Sequence, residues 1–217
     1  LDVLQLGGST TATPTTPANF ADQLEIYDAL TTRAPSSIDD GDLDDLFKDA
    51  SFTPESVVSS ATPRPGVLIE RDGFGVPFIT GDTFADVEYG AGYAAVEDRM
   101  FLMDVLRHTG QARLAEFIGD SPGNVAMDAA QVRSAYYTPE EAAAQVDIAA
   151  RRAGADGARL ITAVDAFVTG INAAQDALCP TVLAPSCPAE YAALQQLPED
   201  WTRADVVYVA SLVGGIF

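Results

Sequence analysis

Leu160, Val164, Phe167, Ile171 and Ala174 recur at steps of three and four residues, which puts them on one face of an α-helix and is incompatible with the two-residue alternation of a half-buried strand. The spacing predicts a helix ending near Leu178. It also sets the fold class, because a helix with one apolar stripe must bury it against another element. Three start signals predict further helices. Thr83 with Asp86 is a capping signal, and the apolar residues after it keep helical spacing to about His108. Thr138-Pro139-Glu140-Glu141 supplies an N-cap Thr, a Pro at the first helical position and a Glu that reaches back from the third. Thr202-Arg203-Ala204-Asp205 caps an apolar segment from Val206 to Phe217. Before all of these, Val67-Leu68-Ile69-Glu70-Arg71, the turn Asp72-Gly73 and Phe74 to Thr80 read as two short strands in a hairpin. The chain is therefore expected to be mainly α with a short β-hairpin.

Residues 1–66 have a different texture: a Thr/Pro-rich run from Thr10 to Pro17, the acidic run Ile38 to Asp45, and a Pro-spaced stretch from Ala61 to Gly66. They read as a partly irregular N-terminal extension to a mostly helical domain at 67–217. Phe20 to Leu30 is a short amphipathic piece able to pack on a neighbour through Phe20, Leu24 and Tyr27. The acidic run lacks the ligand order and closing Glu of a calcium loop, so a solvated acidic face is the expectation.

With 217 residues, 47% of them hydrophobic, the chain can bury a core as one domain or two. Lys and Arg total 12 against 32 acidic residues, and the net charge of -20 repels a phosphate backbone, so no nucleic acid is expected as a partner. No stretch approaches the roughly 18 consecutive apolar residues that span a bilayer, so no membrane span is expected. The N-terminus has no signal-peptide pattern, and a start at Leu1 suits a product cut from a precursor. Cys179 and Cys187 bracket Pro-Thr-Val-Leu-Ala-Pro-Ser. A disulfide is the natural reading, with two buried thiols as the alternative. A bridge implies an oxidising compartment.

A Ser-His-Asp centre needs a base, and the single histidine, His108, sits at a predicted helix end with no G-x-S-x-G motif anywhere. It is expected to interact with the last carbonyls of its helix. One His and two Cys do not make a usual zinc ligand set. Gly90-Ala91-Gly92-Tyr93-Ala94-Ala95 has the form of a dinucleotide fingerprint, but it lies inside a helical pattern, where its glycines instead permit close helix packing. Glu97 and Asp98, adjacent in sequence, are expected to diverge on a helix. No catalytic residue is assigned within this chain.

Four ordered blocks carry a resemblance: Arg71-Asp72-Gly73-Phe74-Gly75-Val76-Pro77-Phe78-Ile79; Tyr89-Gly90-Ala91-Gly92-Tyr93; Glu97-Asp98-Arg99-Met100-Phe101-Leu102-Met103-Asp104; and Gly110-Gln111-Ala112-Arg113-Leu114-Ala115-Glu116-Phe117-Ile118-Gly119. Together they resemble the start of the penicillin acylase family. Pro188-Ala189-Glu190-Tyr191 and Pro198 to Asp205 continue the likeness, which covers about 67–217. The chain departs from the family where Phe78 replaces a usual His, where Val96-Glu97 precedes Asp98-Arg99, and in lacking a second basic residue near His108. These departures bear on substrate class. As ordinary packing, Tyr93, Phe101, Met103 and Phe117 are expected in the core, with Arg99 paired to Asp98 or Asp104.

The resemblance implies the small α subunit of an N-terminal-nucleophile hydrolase made as one precursor that cuts itself. A larger β subunit begins with Ser, Thr or Cys, whose own α-amino group serves as base, so this chain needs no triad. The two chains together form a four-layer αββα architecture. By position, the family's pocket residues fall at Val213, Gly214 and Phe217, and the small residues there leave room for an acyl group. The implied substrate is a small acyl amide of the β-lactam, acyl homoserine lactone or lipopeptide type. No cofactor is implied, any structural calcium is expected mainly on the partner, and the compartment is secreted or periplasmic. A different class of function also fits: a non-enzymatic helical binding or assembly module that docks through its apolar C-terminal helix.

Overall fold

The computed structural model describes residues 34–42, 53–54 and 56–216. The chain divides into two units, Leu1–Thr53 and Pro54–Phe217. In the first, a 3-10 turn spans Pro35–Ser37. After it, Asp39 and Asp42 bond reciprocally, each carboxylate accepting from the other's backbone N–H at 3.1 and 3.2 Å, so these two acids act as a local cap. The segments Thr10–Pro17 and Phe20–Leu30, and the acidic run beyond Asp42, lie outside the described residues.

In the second unit, strands β1 (Ser59–Ala61), β2 (Val67–Arg71) and β3 (Pro77–Gly81) form an antiparallel sheet in that order, with Ile69 opposite both Ala61 and Ile79. Val67 and Ile69 on alternate positions of β2 are buried, the period-two signature that announces a strand. The expected hairpin is present, but its second strand starts later. Asp72 Oδ1 accepts from Phe74 N at 2.9 Å and Val76 N at 3.0 Å, and Gly75 has φ +80°, so Phe74–Val76 belong to the turn. β1 has no apolar alternation to announce it, since all three of its residues are exposed.

The helices follow as α1 (Phe84–Gly110), α2 (Leu114–Ile118), α3 (Pro122–Ala135), α4 (Pro139–Ala153), α5 (Gly157–Leu178), α6 (Ala189–Leu194) and α7 (Arg203–Ile216). The capping boxes expected at Thr83–Asp86 and Thr138–Glu141 are both formed. α2 borrows its cap: the Asp128 carboxylate, from α3, accepts from Leu114 N at 2.8 Å and Ala115 N at 2.9 Å. Such a long-range cap leaves no trace in local sequence, and α2, α3 and α6 were not expected.

α1 and α5 lie along each other so closely that a methyl group at Gly92 would fall on the Phe167 carbonyl oxygen, and one at Gly170 on the carbonyl oxygen of Tyr89. The glycines of the would-be nucleotide fingerprint therefore serve backbone approach. The core beside this crossing gathers Val96, Met100, Phe117, Ile171, Ala174, Tyr191 and Trp201; Tyr93, Phe101 and Met103 pack against it half-buried. Cys179 and Cys187 join in a disulfide with Cα atoms 4.4 Å apart.

Two expectations about α1 are corrected. Arg99 leaves helical geometry at φ -146°, ψ 27°, and its guanidinium donates to the Asp98 carbonyl at 2.9 Å instead of pairing with an acid. Glu97 and Asp98 do not part company either: both pair with Arg71, at 3.0 and 2.9 Å, through different nitrogens of its guanidinium. The partner expected for Arg99 belongs to Arg107, whose Nε stands 2.9 Å from Asp104 Oδ1.

Candidate functional site

The polar centre of the unit lies where α1, α6 and the segment before α7 meet. The Asp104 carboxylate, 1% exposed, accepts from Tyr191 Oη at 2.6 Å and from Trp201 Nε1 at 3.3 Å. Its contact with Arg107 Nε is an ion pair whose angle falls outside that of a hydrogen bond. Arg107, equally buried, donates to the carbonyls of Glu199 at 2.9 Å and Asp200 at 3.3 Å, and its guanidinium lies 5.2 Å from the centre of the Trp201 ring. Burial pushes the Asp104 carboxyl above the usual range, against the pull of Arg107 and its two donors. Burial and the adjacent Asp104 charge push the Tyr191 phenol up strongly, so it stays a donor.

His108 sits at the helix end as expected. Its Nδ1 lies 2.8 Å from the Asp104 carbonyl, and its ring stacks on Phe117 with centroids 4.0 Å apart. Burial holds its pKa below the ordinary value. With the residue 3% exposed, bonded to the Asp104 carbonyl and stacked on Phe117, it is not placed to act as a base on an external substrate. Among the described residues no group of three or more His, Cys, Asp or Glu side chains is placed to hold a metal ion.

The same centre fixes α7. Asn172 on α5 makes two bonds to one residue: Oδ1 accepts from Trp201 N at 2.7 Å and Nδ2 donates to Trp201 O at 3.0 Å. The Asp205 carboxylate accepts from Thr202 N and Thr202 Oγ1, both at 2.7 Å, which completes the cap expected at this helix, and from Gln111 Nε2 at 2.6 Å. Further along, Gly110 admits Tyr208, whose carbonyl oxygen lies 2.6 Å from where a Cβ on that glycine would stand. From there α7 runs outward. Val213 is 42% exposed, and Gly214 has open space where its side chain would be; Phe217 lies outside the described residues. Val213 and Gly214 thus share the exposed last turns, while an apolar groove of about 410 Å³ beside the middle of α7, lined by Tyr137, Val146, Leu160, Val164, Val207 and Ala210 among others, does not include them.

Asp104, Arg107, Asn172, Tyr191 and Trp201 were not singled out in the sequence. Four of the five lie in or beside the blocks Glu97–Asp104, Pro188–Tyr191 and Pro198–Asp205, so the signal was that these separate stretches recur together. Their convergence on one carboxylate supplies the physical reason.

The chain has counterparts among known proteins. The family model for penicillin amidase matches residues 66–217, and the chain belongs to that family. A solved structure, a thermostable penicillin G acylase from Alcaligenes faecalis, superposes with a TM-score of 0.56 at 25% identity, covering 73% of this chain and 75% of that one. Penicillin acylase 2 proenzyme of a Pseudomonas species is 28% identical over 145 residues, 62% of this chain and 15% of the relative. An acyl-homoserine lactone acylase of Pseudomonas aeruginosa, QuiP, is 35% identical over 86 residues, 40% of this chain and 10% of the relative. Penicillin G acylase of Escherichia coli is 28% identical over 122 residues, 52% and 13% respectively. The chain thus spans a small part of the length of these curated relatives.

Proposed function

We propose that this chain is the small subunit of a self-processed acylase that hydrolyses the amide between an acyl group and an amine-bearing core. The observation that carries the reading is the family match over 66–217, which takes in the whole helical unit from β2 to the last turns of α7. In this reading the larger chain, cut from the same precursor, supplies a Ser, Thr or Cys at its N-terminus and completes a four-layer αββα architecture. The α-amino group of that residue takes the proton from its own side chain as the nucleophile attacks the amide carbonyl, and returns it to the departing amine. Water then releases the acyl group.

The part of this chain in that chemistry is positional. In this reading α7 contributes Val213 and Gly214 to one wall of the acyl pocket, Phe217 being assigned to it by sequence position alone, and the absent side chain of Gly214 leaves room for the acyl group. Acylases of both β-lactam and acyl-homoserine lactone type stand among the relatives, so the substrate is a small acyl amide of this kind. The disulfide suits a secreted or periplasmic enzyme, and no described helix is long and apolar enough to cross a membrane. Any structural calcium would sit mainly on the partner chain.

The test is hydrolysis of chromogenic acyl anilides by the processed protein, with Gly214→Leu as the probe. Adding a side chain in open space should leave stability near wild type and shift preference from long to short acyl groups. Unchanged preference would remove Gly214 from the pocket wall, and no amide hydrolysis by the wild type would overturn the acylase reading.

A further inference from the structure

Besides its packing on α4 through Ala142, Ala204 and Tyr208, α7 is anchored at two points. One is the grip on Trp201 by Asn172, with Arg107 holding the carbonyls of Glu199 and Asp200 just before it. The other is the seat of Tyr208 on Gly110. Arg203 and Val213 lie the same number of residues to either side of Tyr208, so at 1.5 Å rise per residue the two arms are each about 7.5 Å long. A displacement of the helix start, pivoting about Tyr208, therefore reappears at Val213 with similar size and opposite direction.

Asn172 is the one side chain that satisfies both the N–H and the carbonyl of Trp201. It holds that peptide as a paired strand would, in position and in orientation. Like Gln175, which donates to the Glu199 carbonyl at 3.4 Å, it stands outside the Asp104 charge network; it is half-buried, and both ends of its amide bond Trp201. Its removal loosens the helix start without stranding a buried charge.

We propose that Asn172 is a positioning residue that sets the acyl-chain selectivity of the pocket wall on α7, acting through Trp201 and without touching substrate. The inference rests on the reading of Val213 and Gly214 as that wall. A shift of about 1 Å at a substrate-positioning element can change rates by as much as ~100-fold, and a shift at a pocket wall acts unequally on short and long acyl groups.

The experiment uses the processed two-chain enzyme expressed from its full reading frame, with 4-nitroanilides carrying a short and a long acyl chain. Asn172→Ala should change the ratio of kcat/KM for the two substrates by about tenfold, mainly through KM. Asn172→Asp, which keeps the acceptor for Trp201 N and loses the donor to its carbonyl, should fall between, and serves where the Ala variant fails to fold. Val67→Ala removes a buried side chain of β2 that takes no part in these contacts; it should lower Tm and leave the ratio unchanged. An unchanged ratio in the folded Asn172 variants, or an equal change in Val67→Ala, overturns the positioning role. A wild type active on neither substrate is a distinct result: it overturns the pocket reading itself, and this inference with it.

Discussion

Gly170→Ala puts one methyl group where the structure has no space for it. The added Cβ would fall on the Tyr89 carbonyl oxygen and lie 2.9 Å from the carbonyl carbon and 3.1 Å from the Cα of the same residue. These are backbone atoms inside α1, so no rotamer change relieves the overlap, and the two longest helices must move apart. Overpacking of a tight core costs about 1–3 kcal/mol, and a backbone clash at the main helix crossing belongs at the upper end of that range. Ala gains up to about 1 kcal/mol over Gly in helix propensity, which leaves a net loss of about 2 kcal/mol. For a domain of this size that lowers Tm by roughly 4–8 °C. Gly123→Ala is the internal control: it lies in α3 with nothing closer than the Ser121 hydroxyl at 3.9 Å, so propensity alone should raise stability slightly. Thermal unfolding followed by near-ultraviolet circular dichroism compares the two. A Gly170→Ala protein as stable as wild type would refute the close α1–α5 crossing.

His108 should make stability pH-dependent in one direction. Burial holds its folded pKa below the ordinary imidazole value of 6.5, so the unfolded chain binds the proton more tightly and stability falls as pH drops from about 6.5 through the folded value. Denaturant unfolding of His108→Asn should lose less stability than wild type between neutral and mildly acidic pH; parallel curves would contradict a buried neutral imidazole. Replacing Cys179 and Cys187 together with Ser reopens a loop of separation 8, and the chain-entropy relation gives a loss of about 2–3 kcal/mol; unchanged unfolding with and without reductant would deny the bridge a stabilising role. Asp165→Asn removes the bidentate partner of Arg203, bonded at 2.5 and 2.6 Å, but both side chains are more than a third exposed, so the expected cost is only about 0.5 kcal/mol. A loss several times larger would show that this pair also holds α7. Asp104→Asn leaves the buried Arg107 without its counter-charge, and about 3 kcal/mol or more should be lost; a variant as stable as wild type in denaturant unfolding would show that the pair contributes little.

What was legible in the sequence was what local chemistry dictates. Thr83 with Asp86, Thr138 with Glu141 and Thr202 with Asp205 announce helix starts because their side chains close on their own backbone, and all three do. The period of Leu160 to Ala174 gave α5 for the same reason. What was missed depends on partners distant in the chain. The start of α2 is held by Asp128 from another helix, β1 is exposed on every residue and ordered by its pairing with β2, and Glu97 and Asp98 meet on Arg71, which comes from β2. The site divides in the same way. The proposed assignment of Val213 and Gly214 to a pocket wall rests on family likeness, whereas the Asp104 centre that braces their helix joins residues more than eighty positions apart.

The central claim is that this unit works as the small chain of a self-cleaved acylase, and the most direct measurement is intact mass with N-terminal sequencing of the protein expressed from its full reading frame. The account predicts two chains that copurify, the larger beginning with Ser, Thr or Cys, and loss of both cleavage and acyl-anilide hydrolysis when that first residue is changed to Ala. A single uncut chain that hydrolyses acyl anilides, or two chains whose larger member begins with another residue, would contradict it.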